Sequence, residues 1–342
     1  MKPPLRVMIA GIAGASLGTE LLKCLLLAKR YVVFGCDISP LAYGHYCGGF
    51  ARTFVVDRKR YIATVLDACR EAQVQFVLPG GEQPLHLLLE AQDAFAGAGI
   101  VLASNRAALV RDLSDKQKTF ALLRGLGFAT PETVSVTRRE DLAEMPLPCV
   151  IKPANDSGGS SFVFVAGTRE EAWLYSTHLV TNGLRPLAQE YIGLEDGDYS
   201  FLVLSLSPAG ATYTVTLKRS FDAKLAVHSR SPLGTLSSPY GQGLIDEFAP
   251  LRAQAERMAA ALGSTGPLNI QGRVRQGVLL PFEINPRFCA SDYLRALAGC
   301  NQPDIFLQYL AYGTVAPPQP LRPGYYLRSL SEIHVRPADV AK

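Results

Sequence analysis

Residues 149–163, CVIKPANDSGGSSFV, run from an apolar stretch into Lys152 and then into a loop of glycine and serine. Backbone N–H groups exposed in such a loop form a concave anion nest, and Lys152 adds a point charge beside it. The order differs from the G-x-x-x-x-G-K-[ST] phosphate loop, because the lysine precedes the glycines; the plain alternative is a hairpin loop. Lys116 and Lys118 fall in the first turn of a predicted helix, where a cation opposes the helix dipole by about 0.3–1 kcal/mol. Asp115 offsets part of this, and a bound phosphate would offset the rest.

A second segment, NIQGRVRQGVLLPFEINPR (269–287), reads as a hairpin. Alternation puts Glu283 and Asn285 on one face of their strand, and Asn269, Gln271, Arg273 and Arg275 on one face of the partner. A three-residue loop containing Gly277 sets Gln271 opposite Glu283, whereas a two-residue loop would set it opposite Phe282 and mismatch the polar faces. Gln271, Glu283 and Asn285 then converge as oxygen donors suited to Mg²⁺ shared with phosphate groups. Arg287 follows as a fork for a carboxylate or a phosphoryl group in transfer. A cross-strand Glu283–Arg273 ion pair is the structural alternative.

Two other motifs weaken on inspection. Gly11, Gly14 and Gly18 with Asp37 imitate a dinucleotide site, but the spacing is GxxGxxxG and not GxGxxG. The same turn contains G-A-S-L-G (14–18), with Ser16 in the position of a hydrolase nucleophile. It follows the first strand, and no histidine completes a triad.

The elements expected to position these groups begin with strand–helix alternation over the first ~110 residues, which implies βαβ units and a parallel sheet. From residue 113 strands dominate. Ser114 opens a predicted capping box with Gln117, and a striped helix is predicted over 243–262. The 342 residues contain 48% hydrophobic and 19% charged side chains, enough for a packed core. A net charge of +4 argues against nucleic acid or an anionic membrane as partner. No apolar run reaches the ~18 residues of a membrane span, and residues 2–18 read as a strand and turn and not as a signal peptide. Seven scattered cysteines without a CxxC pair point to reduced thiols and a cytoplasmic location.

The motifs SDKxxT…GxxxP (114–131), VIKPxxxxGGSS (150–161), QEYIG (189–193) and FEINPRF (282–288) occur in the order of ATP-grasp enzymes. The chain resembles the carbamoyl-phosphate-synthase-like branch and the single-domain ligases related to it, such as pyrrolysine-biosynthesis-type ligases, over residues 1–311. The resemblance implies a mixed α/β and α+β fold: a Rossmann-like pre-ATP-grasp domain (1–112), then an ATP-grasp fold of two α+β subdomains. These are a lid region with its leading helix (113–188) and a C-terminal subdomain with the metal site (189–315), followed by an extension (316–342).

Carried over by position, the resemblance implies ATP contacts from Lys116, Lys152, Lys218 and the loop residues Ser157, Gly158, Gly159, Ser160 and Ser161. It implies an adenine and ribose slot at Gln189, Glu190, Tyr191 and Ile192, with Glu195 or Asp198 as the second ribose-side acid. Gln271, Glu283 and Asn285 would ligate Mg²⁺, with Mn²⁺ as an alternative. Arg287, Lys152 and Arg219 would act in catalysis, and His228 would stand near the triphosphate or the acceptor. Glu82, Ser291 and Arg295 are the expected substrate-side residues. Phe162 replaces a loop glycine of the family, and residues 190–200 carry a short insertion. The implied activity is ATP-dependent joining of a carboxylate to an amine through an acyl phosphate, with an amino acid as one small-molecule substrate. A homo-oligomer is compatible with this reading. The rivals are a catalytically idle or regulatory ATP-binding module and a nicotinamide-dependent oxidoreductase.

Overall fold

The computed structural model describes residues 3–14, 16–155, 162–207 and 209–342. The N-terminal part alternates β1 (Leu5–Ala10), α1 (Leu17–Ala28), β2 (Tyr31–Asp37), β3 (Arg52–Val55), α2 (Tyr61–Glu71), β4 (Phe76–Pro79), α3 (Glu82–Glu90), α4 (Gln92–Gly97) and β5 (Val101–Leu102). The five strands form a parallel sheet in the order β3-β2-β1-β4-β5. The crevice of an open α/β sheet forms where the strand order reverses, here between β1 and β4. The central strands are apolar and buried on both faces: Val7, Met8 and Ile9 of β1 are fully enclosed.

Next come α5 (Ala107–Leu113) and α6 (Lys116–Gly125), followed by β6 (Thr133–Ser135), β7 (Cys149–Pro153), β8 (Phe164–Ala166), α7 (Arg169–Thr181) and β9 (Pro186–Glu190). These strands make an antiparallel sheet, β6-β9-β7-β8, with α7 packed through Ala172 and Leu179 onto Ile151, Ala166 and Ala188. The cap of α6 is Asp115, whose carboxylate accepts from the Gln117 and Lys118 amides, and not the expected Ser114. A carboxylate holds the amides at the positive end of the helix more strongly than a neutral hydroxyl.

The last part contains β10 (Asp198–Leu206), β11 (Ala211–Arg219), β12 (Val227–Ser231), β13 (Gly234–Ser237), β14 (Gly243–Asp246), α8 (Ala249–Ala261), β15 (Pro267–Arg275), β16 (Val278–Asn285), α9 (Asp292–Leu297), α10 (Gln302–Tyr312) and β17 (Gly324–Tyr326). Its main sheet runs β16-β15-β10-β11-β14-β17, and β12 and β13 pair separately. The helix expected from 243 starts only at Ala249, with residues 243–246 paired as a strand to β11. Pro250 lies in the first turn of α8, where its missing N–H is no loss, and Phe248 takes a left-handed φ of 40° before it. The C-terminal stretch, expected to be featureless, supplies the edge strand β17.

One apolar cluster joins α1 and the first sheet to the last part: Leu21 and Leu25 pack in it with Leu204, Phe288 and Phe306. A second, around Tyr199, Phe201, Met258 and Ile270, fills the space between the main sheet and α8. No helix among the described residues is long and apolar enough to cross a membrane.

Candidate active site

Residues directly opposite each other in an antiparallel pair share a face. Gln271 lies opposite Glu283, and Asn269 opposite Asn285. On the other side of β15, Ser200 of β10 lies opposite Gln271. The face therefore carries Ser200, Asn269, Gln271, Glu283 and Asn285 in one band. The expected pairing of Gln271 with Glu283 holds, but the expected loop does not. The turn has two residues, Gln276 and Gly277, with φ of 51° and 76°, the left-handed pair of a type I′ turn. A bulge on β16 between the partners of Gln271 and Gly272 inserts one residue and resets the register.

Within the band, the Asn285 amide donates to Glu283 Oε1 at 3.0 Å, and the Ser200 hydroxyl donates to Asn269 Oδ1 at 2.9 Å. Asn269 is 1% exposed. It is a band member that the sequence signal, the same alternation, had already placed on this face without a role. Arg219 donates to Gln271 Oε1 at 3.0 Å and to Asp198 at 2.6 Å. Arg273 donates to the second Asp198 oxygen at 3.0 Å. Asp198 is thus enclosed and held by two arginines, a correction to its expected place beside a ribose; the Glu283–Arg273 pair is replaced by this one. Arg273 also donates to the carbonyls of Ile192 and Thr235 and stacks over the Tyr191 ring at 4.7 Å, so it anchors the 189–193 segment.

Lys152 ends the apolar part of β7 and is 7% exposed. Its ammonium donates to Gln189 Oε1 at 2.7 Å and to the Phe282 carbonyl at 2.8 Å, with the Phe120 ring 5.2 Å away. A lysine of one sheet is thereby fixed to the residue preceding Glu283 of another. The Gln189 side chain orients Lys152, and its amide donates to Thr133 at 2.9 Å. Glu190 pairs with Arg275 and accepts from the Glu132 amide at 3.2 Å. Lys116 opens α6, its amide donating to the Ala154 carbonyl at 2.8 Å, which brings it to the end of β7.

Ser157, Gly158, Gly159, Ser160 and Ser161 lie outside the described residues. Phe162, at the glycine position of the family loop, has a φ of 59°. That is the glycine-like left-handed conformation, which costs an L-residue about 1–2 kcal/mol; the ring packs 5.8 Å from His178.

Two expected site residues stand elsewhere. Lys218 lies opposite Tyr199, so strand alternation puts it on the α8 side of the sheet, its ammonium 5.8 Å from the Tyr199 ring and away from the Glu283 band. His228 is exposed on β12.

Arg287 donates through Nε to Glu82, and His86 approaches the other Glu82 oxygen at 3.3 Å. Burial alone would raise the Glu82 carboxyl, but the Arg287 charge and the hydrogen bonds from His86 and Arg287 outweigh it and hold it down at about 2. Ser291 and Arg295, expected to line a substrate pocket, are enclosed. Arg295 is 0% exposed and donates to Ser291 Oγ at 2.6 Å and to the Ser200 carbonyl and hydroxyl at 2.9 Å. It supports one end of the band through Ser200.

The N-terminal imitators are occupied by structural bonds. Asp37 accepts from the Ile12 amide at 2.8 Å and the Ser39 amide at 3.0 Å, which engages both of its oxygens. Ser16 donates to the Ala13 carbonyl.

No family model matches the chain. Curated relatives include carbamoyl phosphate synthase large chains of Methanoregula boonei, 24% identical over 232 residues, and Mesorhizobium japonicum, 26% identical over 297 residues. These matches cover 64% and 74% of this chain but 21% and 24% of the relatives, so the chain spans about a fifth to a quarter of their length. Similar solved structures include an L-amino acid ligase from Bacillus licheniformis, with TM-score 0.67 and 17% identity over 90% of this chain and 74% of that one. A biotin carboxylase from Campylobacter jejuni superposes with TM-score 0.68 and 15% identity over 92% of this chain and 72% of that one. In fold the chain is similar to solved ATP-grasp ligases, and in sequence it is similar to part of carbamoyl phosphate synthase large chains.

Proposed function

We propose that the chain is an ATP-dependent ligase that joins a carboxylate to an amine. The observation that carries this reading is the fixing of Lys152 to Phe282, which brings a phosphate-binding cation to the edge of the Gln271–Glu283–Asn285 band with Arg219 beside it. A substrate carboxylate oxygen attacks the γ-phosphorus of ATP and ADP leaves. The amine nitrogen then attacks the acyl carbon, phosphate leaves, and the nitrogen loses a proton to give the amide. Lys152 and Arg219 offset the charge that spreads over the phosphoryl oxygens, and they do so already fixed by neighbours, which spares reorganisation. Arg287, held by Glu82 at Nε and by the Phe288 carbonyl at 3.1 Å, would bring its charge to the carboxylate or acyl phosphate.

Among the described residues no three His, Cys, Asp or Glu side chains gather as a metal cage. The band offers one carboxylate and neutral amide oxygens, a set that fits Mg²⁺ or Mn²⁺ completed by phosphate oxygens. Bound there, such an ion would act as a Lewis acid on the phosphates. The seven cysteines are free, five of them buried, which supports a reducing compartment such as the cytoplasm.

The test is ADP release with Mg²⁺ and hydroxylamine over pools of amino and other carboxylic acids, beside a Glu283→Ala control. Hydroxamate from one pool, absent in the control, supports acyl-phosphate chemistry and names the carboxylate class. ATP binding with no ADP release from any pool would replace the ligase with an ATP-binding module.

A further inference from the structure

A cavity of about 250 Å³ opens at the carboxyl ends of β1, β2 and β4. It is smaller than the roughly 300–1,000 Å³ usual for drug-sized ligands, so a small metabolite fits and a dinucleotide does not. Its floor is glycine backbone at Gly11 and Gly80, which must approach so closely that a Cβ on Gly80 would meet the Gly11 carbonyl oxygen at 2.0 Å. Its walls are Ile38, Pro84, Leu87 and the ring of Tyr61. Two polar groups there have no partner among the described residues: the buried Tyr61 hydroxyl and the exposed Arg58 guanidinium at the rim. An occluded hydroxyl without a partner is destabilising, a deficit that a ligand with a hydrogen-bonding atom at that depth would remove.

One end of the cavity lies next to the candidate active site along the chain. Gly81 lines it, and the next residue is Glu82, whose carboxylate meets Arg287. Arg58 follows β3 and Glu82 follows β4, three strand spacings apart across the sheet, or about 14 Å. The Arg58 side chain spans part of that distance. The remainder suits a molecule with an anionic group at one end, an apolar body, and a group of opposite charge at the other. A carboxylate has lone pairs for more than one donor, so Glu82 can accept an ammonium beside Arg287; with Arg287 assigned to the carboxylate or acyl phosphate, the molecule left for this cavity is the amine partner.

We propose that this crevice binds the amine-bearing substrate, an amino acid with an apolar or ring-bearing side chain. Its carboxylate lies at Arg58, its body between Ile38, Pro84, Leu87 and Tyr61, and its amino group is delivered past Gly81 to Glu82. The assignment rests on the ligase reading for its chemistry, and its binding can be measured without turnover.

The experiment is calorimetric titration of the full chain, without nucleotide, using phenylalanine, leucine and lysine, and phenethylamine, isoamylamine and cadaverine as analogues lacking the carboxylate. It is run on the wild type, Arg58→Ala, Tyr61→Phe and Leu87→Trp. ATP affinity and ADP release are measured in parallel. The expected result is that at least one amino acid binds. Arg58→Ala should weaken it about tenfold or more, as for a lost charge-assisted hydrogen bond, with little change for its amine analogue. ATP affinity stays constant in all three variants. Arg58 is exposed and Tyr61→Phe removes only an unpartnered hydroxyl, so both fold even if Leu87→Trp does not. Amino-acid affinity unchanged by Arg58→Ala and Tyr61→Phe, or no binding by any probe, overturns the crevice assignment. Continued ADP release in that case leaves the ligase reading intact. Amino-acid binding that depends on Arg58 in a chain that neither binds nor hydrolyses ATP would instead support the site and overturn the ligase reading.

Discussion

Lys152 is nearly enclosed, and its ammonium keeps two oxygen partners, one a side-chain amide and one a main-chain carbonyl. These two partners are neutral and orient the ammonium at the edge of the band, where a phosphate would meet it. Lys152→Met should therefore lower kcat for ADP release by about 10²–10³, the loss seen when one preorganised donor to a developing charge is removed. Steady-state kinetics with a circular dichroism check of the fold tests this. Gln189→Leu should give a smaller loss of the same kind, because it frees Lys152 without removing it. Asp198 shows the opposite use of charge: its carboxylate is spent on Arg219 and Arg273, and through them it sets Gln271 and the 189–193 segment.

The β15–β16 hairpin positions the candidate metal face, and its geometry is decided by two small devices. The turn at Gln276 and Gly277 has both residues left-handed, a conformation for which Asn-Gly is the preferred pair. Gln276→Asn should raise stability by about 0.5 kcal/mol, within the gain usual for an improved turn, as read by urea denaturation. The bulge near Gly272 is the second device, and a side chain there would meet Leu279 at 2.6 Å and the Leu280 carbonyl at 2.8 Å. On the band side of the sheet, Arg295 of α9 reaches the backbone of β10 and β11 at Ser200 and Val215. Arg295→Met should destabilise the fold by about 3–5 kcal/mol, since it leaves buried carbonyls and the neighbouring Asp292 without their cation. ATP affinity measured below the unfolding transition should stay close to wild type, because the enclosed Arg295 touches the band only at Ser200 and not at Gln271, Glu283 or Asn285.

At the scale of the molecule, the Glu82–Arg287 contact joins α3 of the N-terminal part to the end of β16. The folded Glu82 carboxyl lies at about 2 against an ordinary 4.5, so folding favours its ionised form. The stability it contributes is fully present above about pH 4.5 and is lost as pH falls toward 2. Glu82→Gln should flatten the acid limb of the stability profile over that interval, and thermal unfolding across a pH series checks it. The same interface has a polar seam farther along, where the Tyr31 hydroxyl donates to Asp304 at 2.6 Å and Asn301 donates to the Cys24 carbonyl at 2.8 Å. Cluster packing of Leu21 and Leu25 against Phe288 and Phe306 supplies the apolar share of that interface.

The sequence by itself determined the alternating N-terminal part, the polar band of the hairpin and the lysine before the glycine–serine loop. Each of these is a local periodicity or a short spacing, and strand alternation is enforced by the backbone. Even so, the Gln271–Glu283 pairing was reached through a three-residue loop that does not exist. A two-residue turn and a bulge produce the same register, and a bulge has no reliable local signature. Lys218 was misplaced because its face depends on the pairing of β10 with β11, and the strand over 243–246 was taken for helix because its apolar residues also match a helical stripe. The tertiary structure alone decided which charges are spent on one another. Asp198 with Arg219 and Arg273, and Glu82 with Arg287, are separated by between 21 and 205 residues. A charge far along the chain has no local constraint on its partner; that choice is made only when the sheets stack and burial forces each ion to find one.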